Sequence, residues 1–229
     1  LLMSAAQGSD AWYEPYGVLK STDQGRTWQP FDDLQLKTFG PQAFVRRPEG
    51  EILGVSRWTF RYALRGESPR FHFPHEDGVY LGMSYRFDPR AERFAMYENT
   101  VRVPKGMGFT IIFNRDIFDL GDGSVLASVY CPTVDGNGRR SFLLKSADGG
   151  KNWEHYSTLG EGPEPSVARL SATEFTALLR NNPPGPFLQT WSRDQGKTWS
   201  PPVSLEVGSV DPDMTLPTSS ETGGLHVFP

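Results

Sequence analysis

Cysteine is almost missing from this chain: Cys131 stands alone, which excludes an intramolecular disulfide and leaves too little for a cysteine-based metal cluster. Long runs of one charge are also missing. Lys and Arg total 23 against 27 Asp and Glu, for a net charge of -4, and no basic stripe offers the footprint that a nucleic acid needs. No apolar stretch reaches the length required to cross a bilayer, so no membrane span is expected. The opening "LLMSAAQGSD" has neither the basic region nor the length of a signal peptide. It reads as the inside of a strand, and the chain is expected to begin in the middle of a domain. What is plentiful is turn chemistry. Gly 24 and Pro 19 fit many short strands joined by tight turns, and 37% hydrophobic residues supply a sizeable core.

A short motif recurs. "STDQGRTW" (Ser21–Trp28), "SADGGKNW" (Ser146–Trp153) and "SRDQGKTW" (Ser192–Trp199) share the spacing S-x-D-x-G-x-x-W, and "RFDPRAERF" carries a worn copy with Asp88 and Phe94. The aspartates fall at 23, 88, 148 and 194, periods that belong to a solenoid or a propeller. Each part has a physical job. The aspartate collects backbone N–H groups in a turn, the glycine takes positive φ, and the tryptophan buries a large area beneath the hairpin. A calcium loop is the competing reading. An EF-hand needs several more carboxylates and a distal glutamate, which are not there. The motif is read as a structural clasp.

A second repeat lies between the clasps. "PQAFVRRPEGEILGVSR" (Pro41–Arg57), "NRDIFDLGDGSVLASVY" (Asn114–Tyr130) and "EPSVARLSATEFTALLR" (Glu164–Arg180) each read as strand, turn, strand, with "DPDMTLPTSSETGGLHV" (Asp211–Val227) as a fourth copy. "LLMSAAQ" fits the second half of another. Adding the clasp hairpin gives one four-stranded antiparallel blade of a β-propeller, read from its inner edge outward. The expected fold is therefore all-β. Residues 1–229 are expected to form a single partial propeller domain, about three full blades plus parts of two others, truncated at both ends. Residues 58–84 read as an unusually long connection, a common place for function.

The S-x-D-x-G-x-T-W clasp is the Asp-box, and its alternation with "EPSVARL…ALLR" resembles the sialidase superfamily of BNR-repeat proteins, from Leu1 to about Pro217. The resemblance implies a six-bladed propeller with its active site in the central funnel. It also implies three arginines on the substrate carboxylate, a Tyr–Glu nucleophile pair, and an aspartate as acid/base. Carried over residue by residue, Glu164 is the glutamate that activates the tyrosine, Arg180 is one carboxylate-binding arginine, and Asp10 stands near the acid/base position. The chemistry is coherent. A sugar acid favours bidentate guanidinium pairing, and an oxocarbenium-like transition state beside a carboxylate favours a neutral nucleophile that needs a neighbouring base. The family's other two arginines and its nucleophilic tyrosine have no counterpart in this sequence. The chain thus reads either as a fragment of a longer enzyme or as a degenerate BNR protein.

Other residues are weighed by position. Arg57 and Tyr130 hold, in their own units, the place that Arg180 holds in its unit, so both are expected to face the funnel and contact substrate. Arg115 starts an inner strand with Asp116 and is a further candidate at the funnel mouth; an ion pair between the two is the competing reading. Glu164 and Arg180 also have a plain alternative, a strand-start carboxylate and a salt-bridged strand end. Glu14 lies close enough to Asp10 to compete with it. "HFPHE" (His72, His75, Glu76) invites a zinc reading, but the order differs from H-E-x-x-H and a proline intervenes, so a loop over the funnel is preferred. Met107, between Gly106 and Gly108, reads as a turn.

These features lead to a sialidase-like exo-glycoside hydrolase acting on a terminal anionic sugar of glycoconjugates, with no cofactor and no metal. The alternatives are a propeller that binds glycan or protein without turnover, and a propeller glycosidase or lyase acting on a uronic-acid polysaccharide. A carbohydrate partner is common to the glycosidase readings. The resemblance points to a secreted or periplasmic protein ahead of a cytoplasmic one.

Overall fold

The structure, a computed structural model, describes residues 2–6, 16–31, 41–60, 78–180 and 186–205. These residues form sixteen strands and no helix. Among them no helix is long and apolar enough to cross a membrane.

The first unit is the antiparallel meander β1 (Leu2–Ala6), β2 (Tyr16–Lys20) and β3 (Gln29–Pro30). The second holds β4 (Pro41–Arg46) and β5 (Ile52–Ser56), then the short β6 (Trp58–Phe60), and continues with β7 (Val79–Asp88) and β8 (Arg93–Arg102). Here β4, β5, β7 and β8 pair in that order. The third unit is β9 (Thr110–Asp119), β10 (Val125–Pro132), β11 (Arg139–Ser146) and β12 (Asn152–Glu161), again antiparallel in sequence order. The fourth is β13 (Ser166–Arg169), β14 (Phe175–Leu179), β15 (Leu188–Ser192) and β16 (Val203–Ser204).

Each described 17-residue stretch is thus the first hairpin of its unit, and each clasp joins the last two strands of its unit. One expectation needs correction. The connection proposed for 58–84 is partly strand: Trp58–Phe60 pairs with β9 of the next unit, and β7 begins at Val79. Together with a parallel pairing of Asn152–Glu154 on β12 with Thr100–Arg102 on β8, this merges the second and third units into one nine-stranded hydrogen-bonded sheet. Asp10, Glu14, His72, His75, Glu76 and the copy at 211–227 lie outside the described residues.

Packing follows strand parity, because alternate side chains leave a strand on opposite faces. In β10, Val125, Ala127, Val129 and Cys131 join the cluster shared with the second unit, while Leu126 joins the cluster shared with the fourth. Both faces are therefore covered, which explains the nearly unbroken apolar run of that strand. Met107 is a second correction. It belongs to this core and bridges to Thr133, although Gly106 beside it does make a turn with φ of 82°.

The clasps share one wiring. In the third, the Ser192 hydroxyl donates to Asp194 at 2.8 Å and accepts from Gly196 N at 2.8 Å, while Asp194 accepts from Thr198 N and its hydroxyl at 2.9 and 2.6 Å. Trp199 Nε1 closes the loop onto Gly196 O at 3.1 Å. The first clasp repeats these bonds at Ser21, Asp23, Gly25, Thr27 and Trp28. Each of the later two also docks on the preceding unit: Ser84 donates to Gly150 O, and Ser157 to Gly196 O. A Cβ on Gly196 would meet Leu143 Cδ1 at 2.8 Å, and its φ is 81°, so the docked turn requires glycine.

The wiring carries a pH signature. Hydrogen bonds from the Thr27 hydroxyl and N–H, then Ser21, hold Asp23 at about 2, and Thr198 followed by Ser192 does the same for Asp194. With the folded values below the unfolded value of about 3.9, this stabilisation is complete above the unfolded value and is lost as pH falls through about 2. A carboxyl-carbon NMR titration should give both side chains midpoints near 2. Midpoints at the unfolded value would mean that the clasps are open in solution.

Candidate functional site

The ladder of β13 and β14 pairs Ser166 with Leu178, and Glu164 and Arg180 continue that register beyond its last pair. Arg180 Nη1 donates to Glu164 Oε2 at 2.7 Å. The carboxylate side chain retains 15% of its exposure and the guanidinium side chain 39%, so the pair sits at a rim that is open on the arginine side. Only one of the five N–H donors of Arg180 is spent on this bond, which leaves the outer edge of the fork for a ligand.

Glu164 is held in an unfavourable backbone conformation. Its φ is +53°, and it precedes Pro165, whose ring pushes the preceding residue toward extended geometry. Such strain persists only where the surroundings over-determine it. Here they do. The Asn114 amide donates to Pro165 O, and Asp116 accepts from Val167 N at 2.7 Å and from the Ser128 hydroxyl at 3.0 Å. On the other side Gly162 N donates to Arg139 O at 2.9 Å, and Ser141 donates to Gly162 O at 2.7 Å. The third unit therefore fixes the approach to Glu164 from both ends.

Tyr130 and Arg57 complete the cluster. The register aligns Tyr130 with Ile112, and Ile112 with Trp58, next in sequence to Arg57. Phe113 N donates to Arg57 O, so the second unit's strand end lies against β9. Burial and then the negative charge of Glu164 raise the Tyr130 phenol above its usual range, while the charge of Arg57 and its hydrogen bond to the phenol oppose that rise. A phenol that accepts from Arg57 keeps its own proton to donate. Arg115 is exposed within the irregular stretch of β9 opposite Ser128.

Four of the six candidate residues thus converge: Glu164 and Arg180 directly, Tyr130 and Arg57 through a hydrogen bond and the field of Glu164. Arg115 is an exposed side chain of β9, and Asp10 lies outside the described residues. Sequence reasoning passed over Asn114, whose amide bridges two units. The only signal for it was its place as the first residue of the 17-residue copy, as Glu164 is of the next. Among the described residues no group of three His, Cys, Asp or Glu could hold a metal ion.

A sequence profile of the BNR repeat-like domain matches residues 95–222. No curated protein matches the chain. Among solved structures it is similar to the Hadza microbial sialidase Hz136, at 21% identity and a TM-score of 0.62, over 86% of this chain and 42% of that one. It is also similar to the Penicillium chrysogenum alpha-L-arabinanase complexed with arabinobiose, at 14% identity and a TM-score of 0.54, over 89% and 62% of the two chains. A third is the NanB sialidase from Streptococcus pneumoniae, at 13% identity and a TM-score of 0.55, over 90% and 49%. The chain spans about two fifths to three fifths of the length of these structures. Likenesses at this identity show the fold: an all-β propeller of the kind found in sialidases and arabinanases.

Proposed function

The chain belongs to the BNR repeat-like domain family, and on that premise we propose that it carries part of a sialidase-like exo-glycoside hydrolase centre that removes a terminal anionic sugar from glycoconjugates. Residues 1–229 are assigned to one propeller domain in this reading. The observation that carries it is the strained Glu164 held against Arg180 at an open rim. Strain of this kind costs about 1–3 kcal/mol and is retained where it orients a functional group.

In this mechanism Arg180 takes one edge of the sugar carboxylate, with Arg57 contributing a second positive charge from the neighbouring unit. Tyr130 donates its phenolic proton to a sugar oxygen while Arg57 fixes the ring hydroxyl. Arg115 lines the mouth. Glu164, neutralised by Arg180 in the empty site, is released when the substrate carboxylate competes for the guanidinium, and it then serves as the base for a phenol nucleophile. Asp10 is assigned the acid that protonates the leaving oxygen. No residue of the described cluster is assigned the nucleophile.

A second reading, glycan binding without turnover, draws on the same contact. The direct Glu164–Arg180 bond occupies part of the fork that a carboxylate would use. The readings separate on a substrate panel. Assayed in the whole protein, of whose centre this chain carries a part, the expected result is release of 4-methylumbelliferone from the α-sialoside and not from the α-L-arabinofuranoside, with Arg180→Ala raising KM for the sialoside by at least about tenfold, the worth of a lost charge-assisted pair. Release from the arabinofuranoside alone would reassign the chemistry. Release from neither, with retained binding of sialic acid, would favour the binding reading.

A further inference from the structure

A second concavity adjoins the Glu164–Arg180 pair without containing it. A cleft of about 520 Å³ opens between the β10–β11 turn and the β12–β13 connection, and its lining includes Asp135, Asn137, Arg139, Arg140, Glu161 and Leu188. Both walls are fixed by hydrogen bonds. In the turn, the Thr133 hydroxyl donates to Asp135 at 2.5 Å and accepts from Gly138 N at 3.0 Å, and Asn137 N donates to Asp135 at 3.2 Å. The Thr133 hydroxyl and the Asn137 N–H keep Asp135 ionised, so it acts as an acceptor only. In the opposite wall Gly162 has φ of 120°, and a Cβ there would lie 2.5 Å from Arg180 O. Only glycine lets the connection run flat against the Arg180 backbone. The cleft and the Glu164–Arg180 pair therefore share one floor, with Gly162 and Glu164 at most about 7 Å apart along the chain.

The lining tells what the cleft would accept. Its lining carries two guanidinium groups and two carboxylates, so no single-sign field favours an ion. Among the described residues neither Arg139 nor Arg140 is engaged in an ion pair, which leaves both forks free to donate. Asn137 adds an amide, Thr133 a hydroxyl, and Leu188 with Pro163 an apolar surface. Donors and acceptors in balance beside a small apolar surface match a polyhydroxylated, uncharged ring.

We propose that this cleft binds a neutral hexose unit, the saccharide attached to the sugar seated at Glu164 and Arg180, and so forms the leaving-group subsite. Its place in the reaction rests on the hydrolase reading above; its capacity to bind does not.

The test uses lactose as probe and the full chain labelled with ¹⁵N. Saturable amide shifts are expected within 133–140 and 161–162. Arg139→Ala and Asn137→Ala should each weaken the dissociation constant read from those resonances by about tenfold, the worth of one or two hydrogen bonds. Both side chains are exposed, so the dispersed spectrum should survive each change and report that the fold is intact. Glu164→Gln should move the same constant by less than about twofold, because the carboxylate lies outside the cleft lining. Absence of saturable shifts in these two segments overturns the proposal, and so does a constant that neither cleft variant changes. Lactose binding without sialoside turnover keeps the subsite and removes the hydrolase reading; turnover with silent cleft resonances does the reverse.

Discussion

Replacing Trp153 by alanine is expected to destabilise the fold by about 3–5 kcal/mol and to lower its melting temperature by on the order of 10 °C. Trp153 is fully buried in the cluster between the second and third units, with its ring edge-on to Phe113 at 5.4 Å. Its Nε1 donates to Gly150 O at 3.1 Å, the carbonyl that also accepts from Ser84 of the neighbouring unit. Truncation therefore opens a cavity at a junction of two units and removes one of two donors from a buried acceptor. The same change at Trp28, which is only half-buried, should cost distinctly less. Thermal melts of the two variants beside the parent check the difference, and equal losses would mean that burial between units does not set the role of the clasp tryptophans.

The second large effect concerns Glu164. Glu164→Ala and Glu164→Gly both delete the carboxylate, and each is expected to reduce sialoside turnover by about 10²–10⁴-fold, the usual worth of a positioned base. Their stabilities should differ. Glycine adopts φ of +53° without penalty and alanine does not, so the glycine variant should be the more stable by about 1 kcal/mol. An inactive protein that unfolds at higher denaturant than its alanine counterpart would be the signature of strain maintained for function. Identical unfolding midpoints would show that the neighbouring units impose no cost on this backbone.

How much of this was legible in the sequence follows from the range of the interactions. The clasps could be read from eight residues because the bonds that close each loop on itself, from Ser192 to Trp199, are local. The inner hairpins were legible for the same reason: period-two alternation and turn residues sit within 17 positions. Long-range placement was not. Nothing near Met107 announces that it will be buried against the third unit, and its glycine neighbours argue for a turn. Trp58–Phe60 became a strand because β9 of the next unit offered an edge, which no local pattern encodes. At the site, the opposition of Glu164 and Arg180 is implied by the hairpin itself. The bond from Asn114 to Pro165 O and the hydrogen bond from Arg57 to Tyr130 span different units and appear only once the sheets are laid side by side.

The central claim is that the glutamate fixed beside Arg180 performs chemistry and does not merely close a strand end. Initial rates on 4-methylumbelliferyl α-sialoside for the wild-type protein and Glu164→Gln test it most directly, since glutamine preserves size and hydrogen bonding while removing the base. The account predicts a fall of at least about 10²-fold with an unchanged melting profile. Equal rates for the two proteins would contradict it.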